Sequence, residues 1–144
     1  MCPEKQKELK LKYAHLFGTE RTPFNCWGFE FDDGWTELVE NLLAELDKYS
    51  KENNIKIRIL SAKEKFGNLR VYLGAIEDTG LNDKTFDEIF RIIEKYEELS
   101  KKTCEITGKP GQLSEKNGWL KTLSVDKARE LGYILVNKPP QSGA

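Results

Sequence analysis

Hydrophobic residues recur at three- and four-residue steps in two long stretches of the chain and alternate with polar ones in shorter stretches. Trp35, Leu38, Val39, Leu42, Leu43, Leu46 and Tyr49 make the first helical stripe, and Phe86, Ile89, Phe90, Ile92, Ile93, Tyr96 and Leu99 the second. Side chains three and four apart share a helix face, so each stretch predicts an amphipathic helix with one buried side. Asp33 is the expected cap of the first helix and Asn53-Asn54 its end, while Thr85-Phe86-Asp87-Glu88 has the form of a capping box for the second. A shorter amphipathic segment over 3–17 carries Leu9, Tyr13 and Leu16 and stops at Gly18.

The alternating stretches predict strands. Residues 26–31 alternate around aromatic side chains, Ile55 to Ile59 alternates strictly, and Leu69 to Leu73 is rich in β-formers. Gly67-Asn68 is the expected two-residue turn of a hairpin. Pairing outward from it sets Lys65 opposite Arg70 and Lys63 opposite Tyr72 on one face, with Phe66, Leu69, Val71, Leu73, Ala62 and Leu60 on the other. The 55–59 stretch has the opposite parity, which predicts a bulge near Leu60–Ala62 or burial of both faces there. A turn is expected around Asp78–Gly80. A second hairpin is expected to turn at Asn117-Gly118, followed by a helix capped by Ser124 and closed at Gly132.

These elements predict one α+β domain over residues 1–136. Two amphipathic helices pack on a small antiparallel hairpin sheet, a C-terminal hairpin subregion spans 103–132, and 137–144 form a disordered tail. The length of 144 residues suits a single domain. The 23 basic and 24 acidic side chains leave a net charge of −1, so no global field draws in nucleic acid, which is not the expected partner. No apolar run reaches the ~18 residues of a membrane span, and no signal peptide is read at the N-terminus, so a cytoplasmic location is expected. Cys2, Cys26 and Cys104 are then expected to be free thiols.

Candidate chemistry is sparse. His15 is the one histidine, and no nucleophile motif flanks Cys26 or Cys104. Glu30 and Asp32, two apart, could share a metal or a proton, but they lack a histidine partner. No phosphate-loop motif is present, and Gly108-Lys109-Pro110-Gly111 reads as a turn. The cluster Lys63, Lys65, Arg70 and Tyr72 puts three cations and an aromatic on one hairpin face, which could hold a phosphate and stack a ring. An ordinary solvated strand face would carry similar residues. Trp27 and Trp119 each adjoin a glycine and are candidate pocket walls, and core packing is their other explanation.

Segments 28–35 (GFEFDDGW), 63–72 (KEKFGNLRVY), 104–111 (CEITGKPG) and 118–123 (GWLKTL) resemble a family of small, uncharacterised phage and prophage proteins. That family carries GFECGDGW, KEKFGGLRFY and CExCGxPG followed by GGWxxTLCDxH. The resemblance spans roughly Leu11 to Ala128 and implies a mobile-element setting. In the family pattern three cysteines and a histidine would form a zinc knuckle. Here Cys104 alone remains, with Thr107, Ser124 and Lys127 at the other positions, so the resemblance implies a degenerate knuckle without metal, held by packing around Ile106, Leu113, Trp119 and Leu123.

The expectation is a binding protein without catalytic machinery or cofactor. Its first reading is capture of a small anionic, nucleotide-type ligand such as a host immune signal, a counter-defence role, with Lys63, Lys65, Arg70, Tyr72, Trp27 and Trp119 as the site. The second is a module that binds and inhibits a host protein. Separately, the N-terminal helix and the exposed hairpin are candidate surfaces for a homo-oligomer. A metal-dependent hydrolase using Glu30, Asp32 and Asp33 stands last.

Overall fold

In a computed structural model the chain is α+β, and the structure describes residues 1–74, 76 and 83–136. The turn expected at 78–80 and the tail expected at 137–144 lie outside the described residues. Helices α1 (Pro3–Lys12), α2 (Ala14–Phe17) and α3 (Pro23–Trp27) lead into β1 (Phe29–Glu30) and a 3₁₀ turn over Asp33–Trp35. Helix α4 (Thr36–Asn53), strands β2 (Ile59–Lys65) and β3 (Asn68–Leu73) and helix α5 (Asp83–Ser100) follow. A second unit holds β4 (Gln112–Lys116), β5 (Trp119–Leu123), α6 (Val125–Leu131) and β6 (Ile134–Leu135).

The stripe predicted for α4 is buried, and that of α5 is buried at Ile89, Ile93 and Tyr96, whereas Phe90 and Leu99, expected in it, are exposed. Leu38, Val39, Leu42, Leu43 and Leu46 of α4 meet Ile89, Ile93 and Tyr96 of α5 in one large core. Trp35, Phe17, Phe24 and Phe29 fill its other end, with Phe17 stacked on Phe24 at 4.0 Å. Tyr96 donates its hydroxyl proton to Glu45 across the two helices, and Lys95 pairs with the same carboxylate at 2.6 Å. Burial raises the Tyr96 hydroxyl above its ordinary value, and the hydrogen bonds from Lys95 and then Tyr96 hold Glu45 below its own.

Two expected caps are replaced. Asp33 falls inside the 3₁₀ turn, and α4 starts at Thr36 without a side-chain cap. Helix α5 begins at Asp83, so Thr85 lies inside its first turn and not at the expected start. The cap expected at Ser124 is present, its Oγ accepting from the Lys127 amide at 3.3 Å, and Gly132 closes α6 with φ 79°. Asn54 likewise ends α4 at φ 52°.

The first sheet has the order β1-β2-β3, with β1 parallel to β2 and β2 antiparallel to β3. It is therefore mixed, where a purely antiparallel hairpin sheet was expected. Residues 23–27, read in part as strand, are helical because Pro23 sits in the first turn and the Thr22 side chain caps it through the Asn25 amide at 3.0 Å. The expected irregularity appears as a register shift between Ile59 and Ser61. The outer edge of β3 is covered by α5: the Leu69 amide donates to Ser100 Oγ at 2.9 Å and the Val71 amide to Glu97 Oε2 at 3.0 Å. With these amides satisfied, that edge offers no template for strand addition.

The hairpin turn differs from the expected one. Lys65 pairs with Asn68, so the loop is Phe66-Gly67, with φ of 54° and 88°. Two successive positive φ values are the type I′ pattern, in which glycine belongs at the second position. Glycine needs to be second in the turn, and this moves the register by two residues. Face parity survives such a shift, so Lys63, Lys65, Arg70 and Tyr72 still share one face and Ala62, Leu69 and Val71 the other. Phe66, expected in the core, is instead a turn residue and 66% exposed.

Candidate functional site

Segments 28–35, 63–72, 104–111 and 118–123 meet where the second unit docks on the first. Gly34 approaches so closely that a Cβ there would lie 2.2 Å from the Cys104 carbonyl oxygen, and its amide donates to the Glu105 carbonyl at 2.6 Å. The Trp35 indole donates to the Thr103 carbonyl at 2.9 Å. Gly67 abuts β5, with the Thr122 hydroxyl donating to its carbonyl at 2.7 Å and Leu113 Cδ1 2.8 Å from where a Cβ would stand. Only glycine admits these backbones so close together.

Glu105 sits in this junction with its side chain 3% exposed. Its carboxylate accepts the Asp32 amide at 3.1 Å and pairs with Lys121 at 3.2 Å, and Lys121 lies 3.9 Å from Asp32. Burial pushes the Glu105 carboxyl above its ordinary range, although Lys121 and the Asp32 amide pull the other way. Burial opposes the Lys121 charge, but Glu105 and Asp32 outweigh it and hold the ammonium above its usual value. The pair ties β5 to the loop after β1.

Cys104 is fully buried, and the turn after it closes over the sulfur, the Thr107 amide donating to Sγ at 3.4 Å. Burial acts to raise the thiol pKa, but hydrogen bonds from the Thr107 side chain and nearby backbone amides, Ser124 among them, bring it below its ordinary value. The packing partners are Leu123 and Ala128, with Ile106, Leu131, Tyr133 and Leu135 around them. Trp119, expected in this packing, is 75% exposed instead. Among the described residues no group of three or more His, Cys, Asp and Glu side chains could hold a metal ion.

The six candidate binding residues separate into three places. Lys63, Lys65, Arg70 and Tyr72 occupy the face of the first hairpin opposite the buried Ala62 and Leu69, called its outer face below. Lys63 and Arg70 are direct cross-strand partners, which puts their Cβ atoms roughly 5 Å apart. The Lys63 ammonium lies 5.7 Å from the centre of the Tyr72 ring. None of the three cations has an acid partner among the described residues, in contrast to Lys5, Arg58, Lys95 and Lys121, which are all ion-paired. Glu30, exposed and in register with Lys63, borders the face.

Trp119 lies elsewhere, in a groove of 740 Å³ between the tips of the two hairpins. Glu64 and Phe66 line it from the first hairpin, and Asn117, Trp119, Leu120 and Lys121 from the second, with Tyr133 beside them. Trp27 ends α3, is 75% exposed and is not among the groove's lining residues. Sequence reasoning missed Phe66, Glu64 and Lys121 as groove residues. The one signal available was glycine's place as the second residue of a type I′ turn, which would have moved Phe66 out of the core.

No protein-family model matches the chain, and neither a curated protein nor a solved structure is significantly similar to it.

Proposed function

We propose that the chain is a non-catalytic binding protein that captures a small phosphate-bearing anion on the outer face of the first hairpin. The observation that carries this reading is the direct opposition of Lys63 and Arg70 without an acid partner among the described residues. Like charges placed directly across a ladder cost stability, and an anion shared between them removes that cost. Arg70 offers a planar fork for two phosphate oxygens and Lys63 a point charge beside it. Tyr72, 42% exposed, adds a ring on which a base can stack. A nucleotide-type signal of a host immune response is the ligand class that fits this chemistry, and the mobile-element setting implied by the sequence resemblance agrees with it.

Thermal unfolding against a panel of nucleotides, cyclic oligonucleotides and inorganic phosphate tests the reading. A ligand at a hundred times its dissociation constant adds about 2.7 kcal/mol to the folded state. A rise in midpoint for one phosphate-bearing class, lost in Lys63→Gln/Arg70→Gln, is the expected result. A flat panel overturns it and leaves the inhibition of a host protein as the surviving reading.

A further inference from the structure

The groove between the hairpin tips has chemistry opposite to that of the outer face. Its walls carry Phe66, Trp119 and Tyr133, and its ionisable lining groups are Glu64 and Lys121. The Lys121 charge is already offset inside the fold by Glu105 at 3.2 Å and Asp32 at 3.9 Å. Glu64 has one oxygen committed, its Oε2 accepting the Gly67 amide at 2.6 Å, and it forms no ion pair among the described residues. The groove lining is therefore aromatic, with Glu64 as its one acid.

Phe66 is costly where it stands. A bulky side chain at φ 54° is strained, and its ring is left largely in water. The matching position of the second hairpin holds Asn117, a residue that accepts this conformation readily. Folding alone therefore favours asparagine at 66, and a ligand for the aromatic face accounts for phenylalanine. The aromatic faces near the groove already attract cations from their own chain: the Lys65 ammonium lies 5.7 Å from the Phe66 ring centre and that of Lys116 6.0 Å from Tyr133. Trp119, whose indole attracts cations more strongly than either, has no such partner among the described residues.

We infer that this groove is a second binding site, one that takes an organic cation, an alkylated ammonium or a guanidinium, over Trp119 and Phe66 with Glu64 as its counter-charge. The volume of 740 Å³ suits a ligand or side chain of that size. The site is independent of the anion face, and it holds or fails separately.

The test follows the three indole N–H signals of the full chain by NMR, with Trp119→Phe assigning the one that matters. The probes are choline, its uncharged isostere 3,3-dimethylbutan-1-ol, arginine amide, and a tetrapeptide with one central arginine. The expected result is a saturable shift of the Trp119 signal with a cationic probe and little with the isostere. Glu64→Gln, which keeps the oxygen that accepts from Gly67, weakens binding about tenfold, and Phe66→Asn does the same with the remaining spectrum unchanged. Tighter binding of the tetrapeptide than of arginine amide identifies the cation's source as a protein segment, and equal binding identifies a free small cation. Equal shifts with choline and the isostere, no effect of Glu64→Gln, or no shift with any cation overturns the inference.

Discussion

The two hairpins share a turn geometry and differ in what holds them. Both close through two residues of positive φ with glycine second, Phe66-Gly67 in one and Asn117-Gly118 in the other. The first lies against the main core, with Leu69 fully buried and the edge of β3 covered by α5. The second stands on a small cluster around Cys104, Leu123 and Ala128 and is tied to the rest through Gly34, Gly67 and the Lys121–Glu105 pair. A hairpin supported by a large core can carry a strained, exposed phenylalanine at its tip. One with little beneath it needs the turn residues that intrinsic preference favours.

Five substitutions sharpen or break this contrast, each read as a change in denaturation midpoint. The largest effect is expected from Leu69→Ala, which opens a cavity in the main core and should cost about 3–4 kcal/mol. A loss under 1 kcal/mol would show that the first hairpin does not depend on that core. Lys121→Met comes next, at about 2 kcal/mol near pH 7, because it leaves Glu105 buried without its cation. Its pH dependence has a fixed sign. Burial raises the folded-state pKa of Glu105, so its favourable contribution is present below the ordinary carboxylate value and is lost as pH rises through the raised one. Lys121 limits that loss, and the deficit of the variant should therefore shrink as pH falls toward about 4. A deficit constant from pH 7 to 4 would mean that the pair does not tie the second hairpin to the loop after β1.

The glycines give the third comparison. Gly67→Ala should cost about 2 kcal/mol, combining positive-φ strain with a Cβ 2.8 Å from Leu113. Gly118→Ala meets no atom within 4 Å and should cost about 1 kcal/mol from strain alone. Equal losses would show that the tip of the first hairpin is not wedged against β4 and β5. The smallest effect is a gain: Phe66→Asn should stabilise the fold by about 0.5–1 kcal/mol by relieving the turn. Destabilisation instead would mean that Phe66 is a packing residue and would remove the argument for a ligand at the groove.

Much of the fold was legible locally. The stripes of α4 and α5, the αL stop at Asn54, the Asn117-Gly118 turn and the Ser124 cap each follow from side chains within a few residues of one another. The grouping of Lys63, Lys65, Arg70 and Tyr72 was also legible, because strand parity does not change when register moves by two. Helix α3 was missed because its five residues carry too little periodicity to outweigh the aromatic alternation that follows. The Asp33 cap failed for a different reason: its neighbour Gly34 is drawn to the Glu105 carbonyl, so residues 33–35 form a 3₁₀ turn before α4 begins.

The sequence by itself determined which residues could be helical, which could alternate, and which four side chains would share a strand face. These are short-range consequences of periodicity and glycine geometry. Tertiary structure alone decided that Lys63 and Arg70 stand directly opposed, that Trp119 and Trp27 lie apart from them, and that Glu105 is buried against Lys121. It also turned Phe66 from a core residue into a groove wall. Each of these depends on a register set by turn strain or on the docking of segments 55 to 73 residues apart, which no local pattern encodes.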